Sequence, residues 1–192
     1  SLDLSNNPSL TTLYCQNNSL ISLNISGAVA LTHLECWNNQ LTTLDLSTNT
    51  ALIGTWCYGN QLTALDVSAN IDLVQLNCSS NQLITLDVSG AISMVDLKCN
   101  INSLTSLDLR NGNNQNMNTI NNLFNITNNP QLYCINVDDS AWAATNWTVS
   151  NGNIDSLHYY SNNCLSVTPS LCDSVIISFN QMDTTTNPDL IY

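Results

Sequence analysis

The chain has 192 residues, enough for one ordinary domain or for one solenoid of about six or seven short repeats. Lys98 and Arg110 are its basic residues against fourteen acidic ones, for a formal net charge of −12. That balance excludes recognition of nucleic-acid backbones, which requires clustered Lys and Arg, and disfavours an anionic membrane surface; an apolar run of about 18 residues able to span a bilayer is also missing.

About one residue in six is Asn, with abundant Ser and Thr, yet 43% of the chain is hydrophobic. Short polar side chains that bond to nearby backbone suit tight, repeated turns and are poor formers of long helices. The chain opens at Ser1 inside a repeat, with no initiator Met and no signal-peptide pattern, and reads as a fragment or mature product of a longer precursor.

From the start of the chain the organisation is periodic. Cys15, Cys36, Cys57, Cys78 and Cys99 follow one another at intervals of 21 residues. Leu20, Leu41, Leu62, Leu83 and Leu104 keep the same step, as do Leu23, Leu44, Leu65, Leu86 and Leu107. So do Asn18, Asn39, Asn60, Asn81 and Asn102, and Leu10, Leu31, Leu52, Leu73 and Met94. One rung therefore reads L-x-x-L-x-C-x-x-N-x-L-x-x-L-D-[LV]-S, and several columns in register mark a repeat architecture. In L-x-C the Leu and Cys alternate, so both face one side of a short strand. A turn at Asn follows, and L-x-x-L-D-[LV] returns along the opposite wall. No rung can bury its apolar face alone, so stacked rungs share a core, with adjacent parallel strands about 4.8 Å apart. The Asn column reads as structural, its amides serving backbone groups of neighbouring turns.

The pattern resembles the leucine-rich-repeat family, with Cys in place of the middle Leu of each strand. That resemblance implies a right-handed solenoid with short parallel strands on the concave face, turns and short strands on the convex side, and little helix outside a C-terminal cap. The inward Cys column resembles the cysteine ladder of internalin-type bacterial surface proteins. Side chains stacked in parallel point the same way and would need backbone distortion to bridge, so these thiols are expected to stay free. Nor can a line of thiols converge tetrahedrally on a zinc ion.

Frame is lost after Arg110. Asn125-Ile126-Thr127-Asn128-Asn129-Pro130 matches Asp3-Leu4-Ser5-Asn6-Asn7-Pro8 in type or identity, which places one shortened, irregular rung near 111–131. Leu132, Ile135 and Val137 then start a final strand, and Asp138-Asp139-Ser140-Ala141 reads as a helix start. The division is a repeat array over 1–131, a C-terminal cap over 132–164, with Trp142 and Trp147 sealing the core, and a linker or following domain over 165–192. Cys134 and Cys164 flank the cap and a bridge between them would staple the solenoid end in an oxidising location, leaving Cys172 to pair elsewhere; a Cys164–Cys172 bridge is the alternative.

The phrases Leu107–Asn114, Asn128–Asp139 and Ala144–Thr148 resemble secreted repeat proteins of Bacteroidota, over roughly residues 1–164. The resemblance implies a disulfide-closed cap, further domains, export by the type IX secretion machinery to the cell surface or medium, and O-glycosylation. Candidate acceptors in Asp-Ser/Thr contexts are Ser140, Ser156, Ser174 and Thr184.

Outward positions of the Cys-bearing strands form three columns: Thr12, His33, Gly54, Gln75, Asp96; Tyr14, Glu35, Trp56, Asn77, Lys98; and Gln16, Trp37, Tyr58, Ser79, Asn100. Tyr14, Trp37, Trp56 and Tyr58 should cluster on the concave face with His33 and Glu35 beside them. Exposed aromatics of this kind favour a covering partner, and Trp and Tyr are enriched where proteins bind; sugars also stack on such rings. These six residues are the candidate site for a protein or glycan ligand. A passive spacer or secreted cargo segment is the competing reading, and ice or mineral binding ranks last because the Thr residues are scattered. A further column, Asp3, Asn24, Asp45, Asp66, Asp87 and Asp108, brings like charges together. Hydrogen bonds from turn N–H groups and the Ser two residues on are the expected offset, with calcium bridging as the alternative; no other cofactor is expected. Neither nucleophile elbow, phosphate loop nor H-E-x-x-H appears, and His33 with Glu35 lacks a nucleophile, so the chain is read as a non-enzyme.

Overall fold

The computed structural model describes residues 1–117 and 123–164; the readings for Cys172, Ser174, Thr184 and the 165–192 segment lie outside the described residues. The chain winds into a parallel β-solenoid of about seven turns with very little helix. Its main sheet stacks β2 (Thr12–Tyr14), β4 (His33–Glu35), β5 (Gly54–Trp56), β6 (Gln75–Asn77), β8 (Asp96–Lys98) and β10 (Phe124–Asn125) in that order, all parallel. The opposite wall carries β1 (Leu2–Asp3) against β3 (Leu23–Asn24), then β7 (Thr85–Asp87), β9 (Ser106–Asp108), β11 (Cys134–Asn136) and β12 (Tyr159–Ser161).

Period-two alternation puts Leu13, Leu34, Thr55, Leu76, Leu97 and Phe124 in one inward row of the main sheet. The Cys column lies two residues further on, and Leu41, Leu62, Leu83 and Leu104 are fully buried behind it. Each such Leu contributes about 1.5–3 kcal/mol relative to its exposed state, and no rung could supply the cover by itself. The five ladder thiols are free and buried. Burial pushes Cys15 up to about 11 and Cys99 up to about 12, so the sulfurs stay protonated and pack as small apolar groups.

Each turn after a Cys is fixed by the Asn three residues on. Asn60 Oδ1 accepts from Leu41 N–H at 3.0 Å, while its Nδ2 donates to the carbonyls of Cys36 and Cys57, both at 3.0 Å. Asn39, Asn81 and Asn102 repeat the arrangement one rung apart. Every amide thus ties its own rung to the one before it and satisfies backbone groups that no strand ladder reaches. A second, shorter set was not legible in the repeat: buried Asn49 donates to Ile25 and Ala28, and buried Asn70 to Leu46 and Asn49. Asn7 opens the same column, but Ala28 and Ala91 interrupt it, so it does not stand out as an unbroken repeat.

The same turns demand a left-handed residue two positions after each Cys. Asn17, Asn38, Gly59 and Ser80 meet this with φ of 53°, 50°, 65° and 52°. Ile101 occupies the position at φ 55° with half its surface exposed (50%). A β-branched side chain in this region is strained by about 1–2 kcal/mol. Replacing Ile101 with Asn is therefore expected to raise the unfolding free energy by about 1 kcal/mol, measured by urea denaturation.

The irregular rung differs from the sequence expectation. Asn125 pairs with Lys98 in the main sheet, not with the Asp column of the opposite wall where its likeness to Asp3 would put it. Ile126 stands in the place of a Cys, and Asn129 takes over the Asn role, accepting from Leu104 N–H and donating to the Cys99 and Ile126 carbonyls. Lys98 to Asn125 is a step of 27 residues where the other rungs take 21, as in Asn77 to Lys98, so the rung is lengthened, not shortened. The error has a local cause. An apolar-polar-Asn-Asn-Pro string serves a turn after either wall and carries no mark of which wall precedes it.

At the C-terminal end β11 continues the β9 row, with Ile135 beside Leu107 and Asn136 beside Asp108. Asp139 caps helix α1 (Ser140–Asn146), its carboxylate accepting from the N–H groups of Ala141 and Trp142. Such a cap contributes about 1 kcal/mol. Cys134 and Cys164 are joined by a disulfide with Cα atoms 5.8 Å apart, tying β11 to the segment just after β12. Among the described residues no helix is long and apolar enough to cross a membrane.

Candidate functional site

The outward columns of the main sheet keep the order read from the repeat. Across β2, β4, β5, β6 and β8 the register aligns Thr12, His33, Gly54, Gln75 and Asp96, and beside them Tyr14, Glu35, Trp56, Asn77 and Lys98. Parallel pairing fixes neighbours in a column about 4.8 Å apart, so His33, Glu35, Trp37, Trp56 and Tyr58 occupy one continuous patch over two rungs. Tyr14 sits on the outermost strand of the sheet, 65% exposed, beside Glu35 and without a ring contact to the others.

Within the patch the rings are arranged in two ways. Trp37 and Tyr58 stack face to face, centroids 5.1 Å apart and planes within 7°. Trp37 Nε1 also donates to Glu35 Oε2 at 3.0 Å, which fixes the indole and holds the carboxylate on the face. Burial first, then the Glu35 charge, raises the Tyr58 hydroxyl above its ordinary range, so it remains a neutral donor and acceptor. Trp56 behaves differently. A methyl group placed on Gly54 would lie 2.6 Å from Trp56 Cζ3 and Cη2 and 3.4 Å from His33 Cδ2. The indole therefore folds back along its own strand and covers Gly54, which has no side chain to prop it away.

Polar groups fringe these rings. Thr32 Oγ1 contacts His33 Nδ1 at 3.0 Å. Asn77 Oδ1 accepts from the Ser79 N–H and hydroxyl, leaving its NH2 group available. Asp96 is 7% exposed and its Oδ1 has no donor among the described residues; burial raises its pKa, with Lys98 opposing. Grooves of about 420, 510 and 460 Å³ lie elsewhere, beside Asp66 and Asp87, beneath Trp147 and Tyr160, and between Asn129 and His158.

The Asp column on the opposite wall is held by its turns. Oδ1 of Asp3, Asp45, Asp66 and Asp87 accepts from the N–H of Ser5, Ser47, Ser68 and Ser89 at 2.8–2.9 Å. Hydrogen bonds from Ser47 and Ser68 hold Asp45 and Asp66 below the usual carboxylate range. Asn24 donates to Asp3 Oδ1, so the neutral member links to its charged neighbour, and Arg110 pairs with Asp108 at 2.5 Å. Groups of three or more His, Cys, Asp or Glu placed to share a metal ion do not occur among the described residues. Of the candidate glycosylation positions, Ser156 is exposed in the loop before β12, while Ser140 is half-buried at the start of α1.

No protein-family profile and no curated protein matches the chain. Among solved structures it is similar to a leucine-rich-repeat protein of Leptospira interrogans, at 20% identity and a TM-score of 0.55, covering 76% of this chain and 37% of that one. It also matches the functional domain of InlJ from Listeria monocytogenes, which includes a cysteine ladder, at 23% identity and a TM-score of 0.32, covering 71% of this chain and 52% of that one. The chain thus spans about half the length of one of these proteins and little more than a third of the other. The solenoid has the leucine-rich-repeat fold.

Proposed function

We propose that this chain is an extracellular, non-enzymatic recognition module that binds a protein or glycan at a cell surface through the outward face of its main sheet. The observation that carries the reading is the patch itself. Trp37, Trp56 and Tyr58 remain partly open to solvent on one rigid sheet, next to His33 and Glu35, where their rings add little to the core beneath. Trp and Tyr give large contact area with few rotors to freeze, which is why they dominate binding hot spots. Stacked rungs supply the rigid support that such a surface needs.

Three further features support the setting. The Cys134–Cys164 bridge suits an oxidising compartment. A net charge of −12 keeps the module soluble and repels nucleic acid. In this reading residues 1–131 are the array and 132–164 close its end, while export through type IX machinery and glycosylation at Ser156 belong to the same picture.

Screening the intact chain against glycan and cell-surface extract arrays, beside a Trp37→Ala/Trp56→Ala variant of unchanged circular dichroism, tests the proposal. Binding by the parent that falls at least about tenfold in the variant is the expected result, as losing two aromatic anchors costs several kcal/mol. A parent that binds nothing leaves the chain a passive spacer, its rings satisfied by Trp37–Tyr58 stacking and by the cover Trp56 gives Gly54.

A further inference from the structure

We infer that Asn151 is a site of spontaneous self-modification, converted through a cyclic imide to aspartate and isoaspartate, and that the change loosens the end of α1. The sequence carries Asn-Gly at 111–112 and again at 151–152. In such a pair the glycine backbone nitrogen attacks the Asn side-chain carbon, forming a C–N bond. Ammonia leaves and takes the proton of that nitrogen with it. Water then opens the imide at either carbonyl, giving aspartate or isoaspartate, so NH2 is exchanged for OH overall. Glycine favours the attack because no Cβ shields its nitrogen.

The fold treats the two pairs differently. Their glycines share a left-handed backbone, with φ of 74° at Gly112 and 72° at Gly152, so the contrast lies in the asparagines. Asn111 is 5% exposed. Its Oδ1 accepts from Asn113 N–H and Asn114 Nδ2, its Nδ2 donates to the Ala91 carbonyl, and the Asp138 carboxylate holds Gly112 N–H. Ring closure there requires a buried network to open first. Asn151 is exposed, at the end of a single 3-10 turn, Val149–Asn151. Its Nδ2 donates to the Asn146 carbonyl at 3.0 Å, and Gly152 N–H donates to the Val149 carbonyl. Surface bonds of this kind open readily to water.

The first of those bonds shows what the reaction changes. Asn146 is the last residue of α1, and Trp147 beside it is the ring that meets Phe124. Carbonyls at a helix end need a donor from outside the helix, and the Asn151 amide supplies one. A carboxylate in its place sets oxygen against oxygen, in a last helical turn without a basic residue. Isoaspartate also adds a carbon to the main chain between α1 and β12. Conversion of Asn151 thus releases the far end of the helix that closes the solenoid.

The test incubates the intact chain in warm, mildly alkaline buffer and follows both pairs by peptide mapping and mass spectrometry, with isoaspartate identified by enzymatic methylation. In the folded chain Asn151 is expected to convert at least about tenfold faster than Asn111, because only Asn111 waits on local unfolding. In urea the two rates should converge to within about threefold. Equal rates in the folded chain, or an Asn151 that stays intact there while converting in urea, overturn the site. A tenfold gap that persists in urea lies in the local sequence and overturns the protection of Asn111. Asn151→Asp reads the consequence directly: hydrogen exchange at Trp147 and in the last turn of α1 should quicken about fivefold. Asn151→Gln, which keeps an amide donor and cyclises far more slowly, should leave both mass and exchange unchanged. Exchange in Asn151→Asp equal to that of the parent overturns the loosening.

Discussion

Replacing Asn60 with alanine is expected to lower the unfolding free energy by about 3–5 kcal/mol, a large share of what holds a domain of this size together. The reasoning is a count of orphaned groups. Asn60 is 8% exposed and meets three backbone partners, Leu41 N–H and the carbonyls of Cys36 and Cys57. Alanine leaves all three in a site sealed by Leu41 and Leu62, both fully buried. Each buried, unpaired backbone group costs about 1–3 kcal/mol, with some relief from local relaxation. Asn18→Ala is the internal control. Asn18 donates to Cys15 and Gln16 at the exposed first rung, where water can replace it, and the loss there should stay near about 1 kcal/mol.

Asn60→Asp sharpens the test. An ionised aspartate keeps the acceptor for Leu41 but sets a negative charge against two carbonyl oxygens, whereas the protonated acid can donate to one of them. The folded-state pKa should therefore rise above the unfolded value. Stability of this variant is then greatest below about pH 4 and is lost as pH rises through the folded pKa. Urea midpoints at several pH values would show it; a variant equally stable at all of them would mean that the amide is not sealed from water.

The repeat shows why the stacking was legible and the lengthened rung was not. Columns such as Cys15 to Cys99 and Leu34 to Leu97 encode strand, register and inward face at once, because a step of constant length in a solenoid places equivalent residues one above another. The candidate site inherits that clarity: adjacency of Trp37 with Tyr58, and of Glu35 with Trp56, follows from the columns alone. What the columns do not carry is rotamer choice. That Trp56 lies along its strand over Gly54 while Trp37 turns toward Tyr58 depends on a missing side chain and on the Glu35 hydrogen bond, both details of a single rung. The lengthened rung escaped for a related reason. Ile126 and Phe124 replace the Cys and Leu that announce the main sheet, and the Asn-Asn-Pro turn that remains carries no mark of the wall before it.

The end of the stack gives the second large effect. Trp147→Ala is expected to cost about 4 kcal/mol, the range for removing a fully enclosed aromatic. Phe124 is the last inward residue of the main sheet, and in place of another rung it meets Trp147, centroids 4.2 Å apart with planes inclined by 20°. Trp142 packs edge-on to Trp147 at 5.4 Å and Tyr160 leans on it at 5.9 Å, while the Tyr160 hydroxyl donates to the Trp147 carbonyl. One side chain thus joins α1, β12 and the array. Backbone pairing supports it, since Asn153 O accepts the Ile126 N–H that a following strand would otherwise take. Trp147→Phe should cost far less, about 1 kcal/mol, because the ring contact with Phe124 survives and the buried indole N–H, which has no acceptor among the described residues, is removed. Nearest-neighbour coupling then dictates where the damage appears. Hydrogen exchange in Trp147→Ala should quicken from β12 and α1 back through β10, and fade toward β4 and β5. The disulfide would still hold Cys134 to Cys164 and restrict how far the loosened segment departs. Uniform acceleration along the whole chain would instead mean that the array unfolds as one unit, with its stability set at the end and not rung by rung.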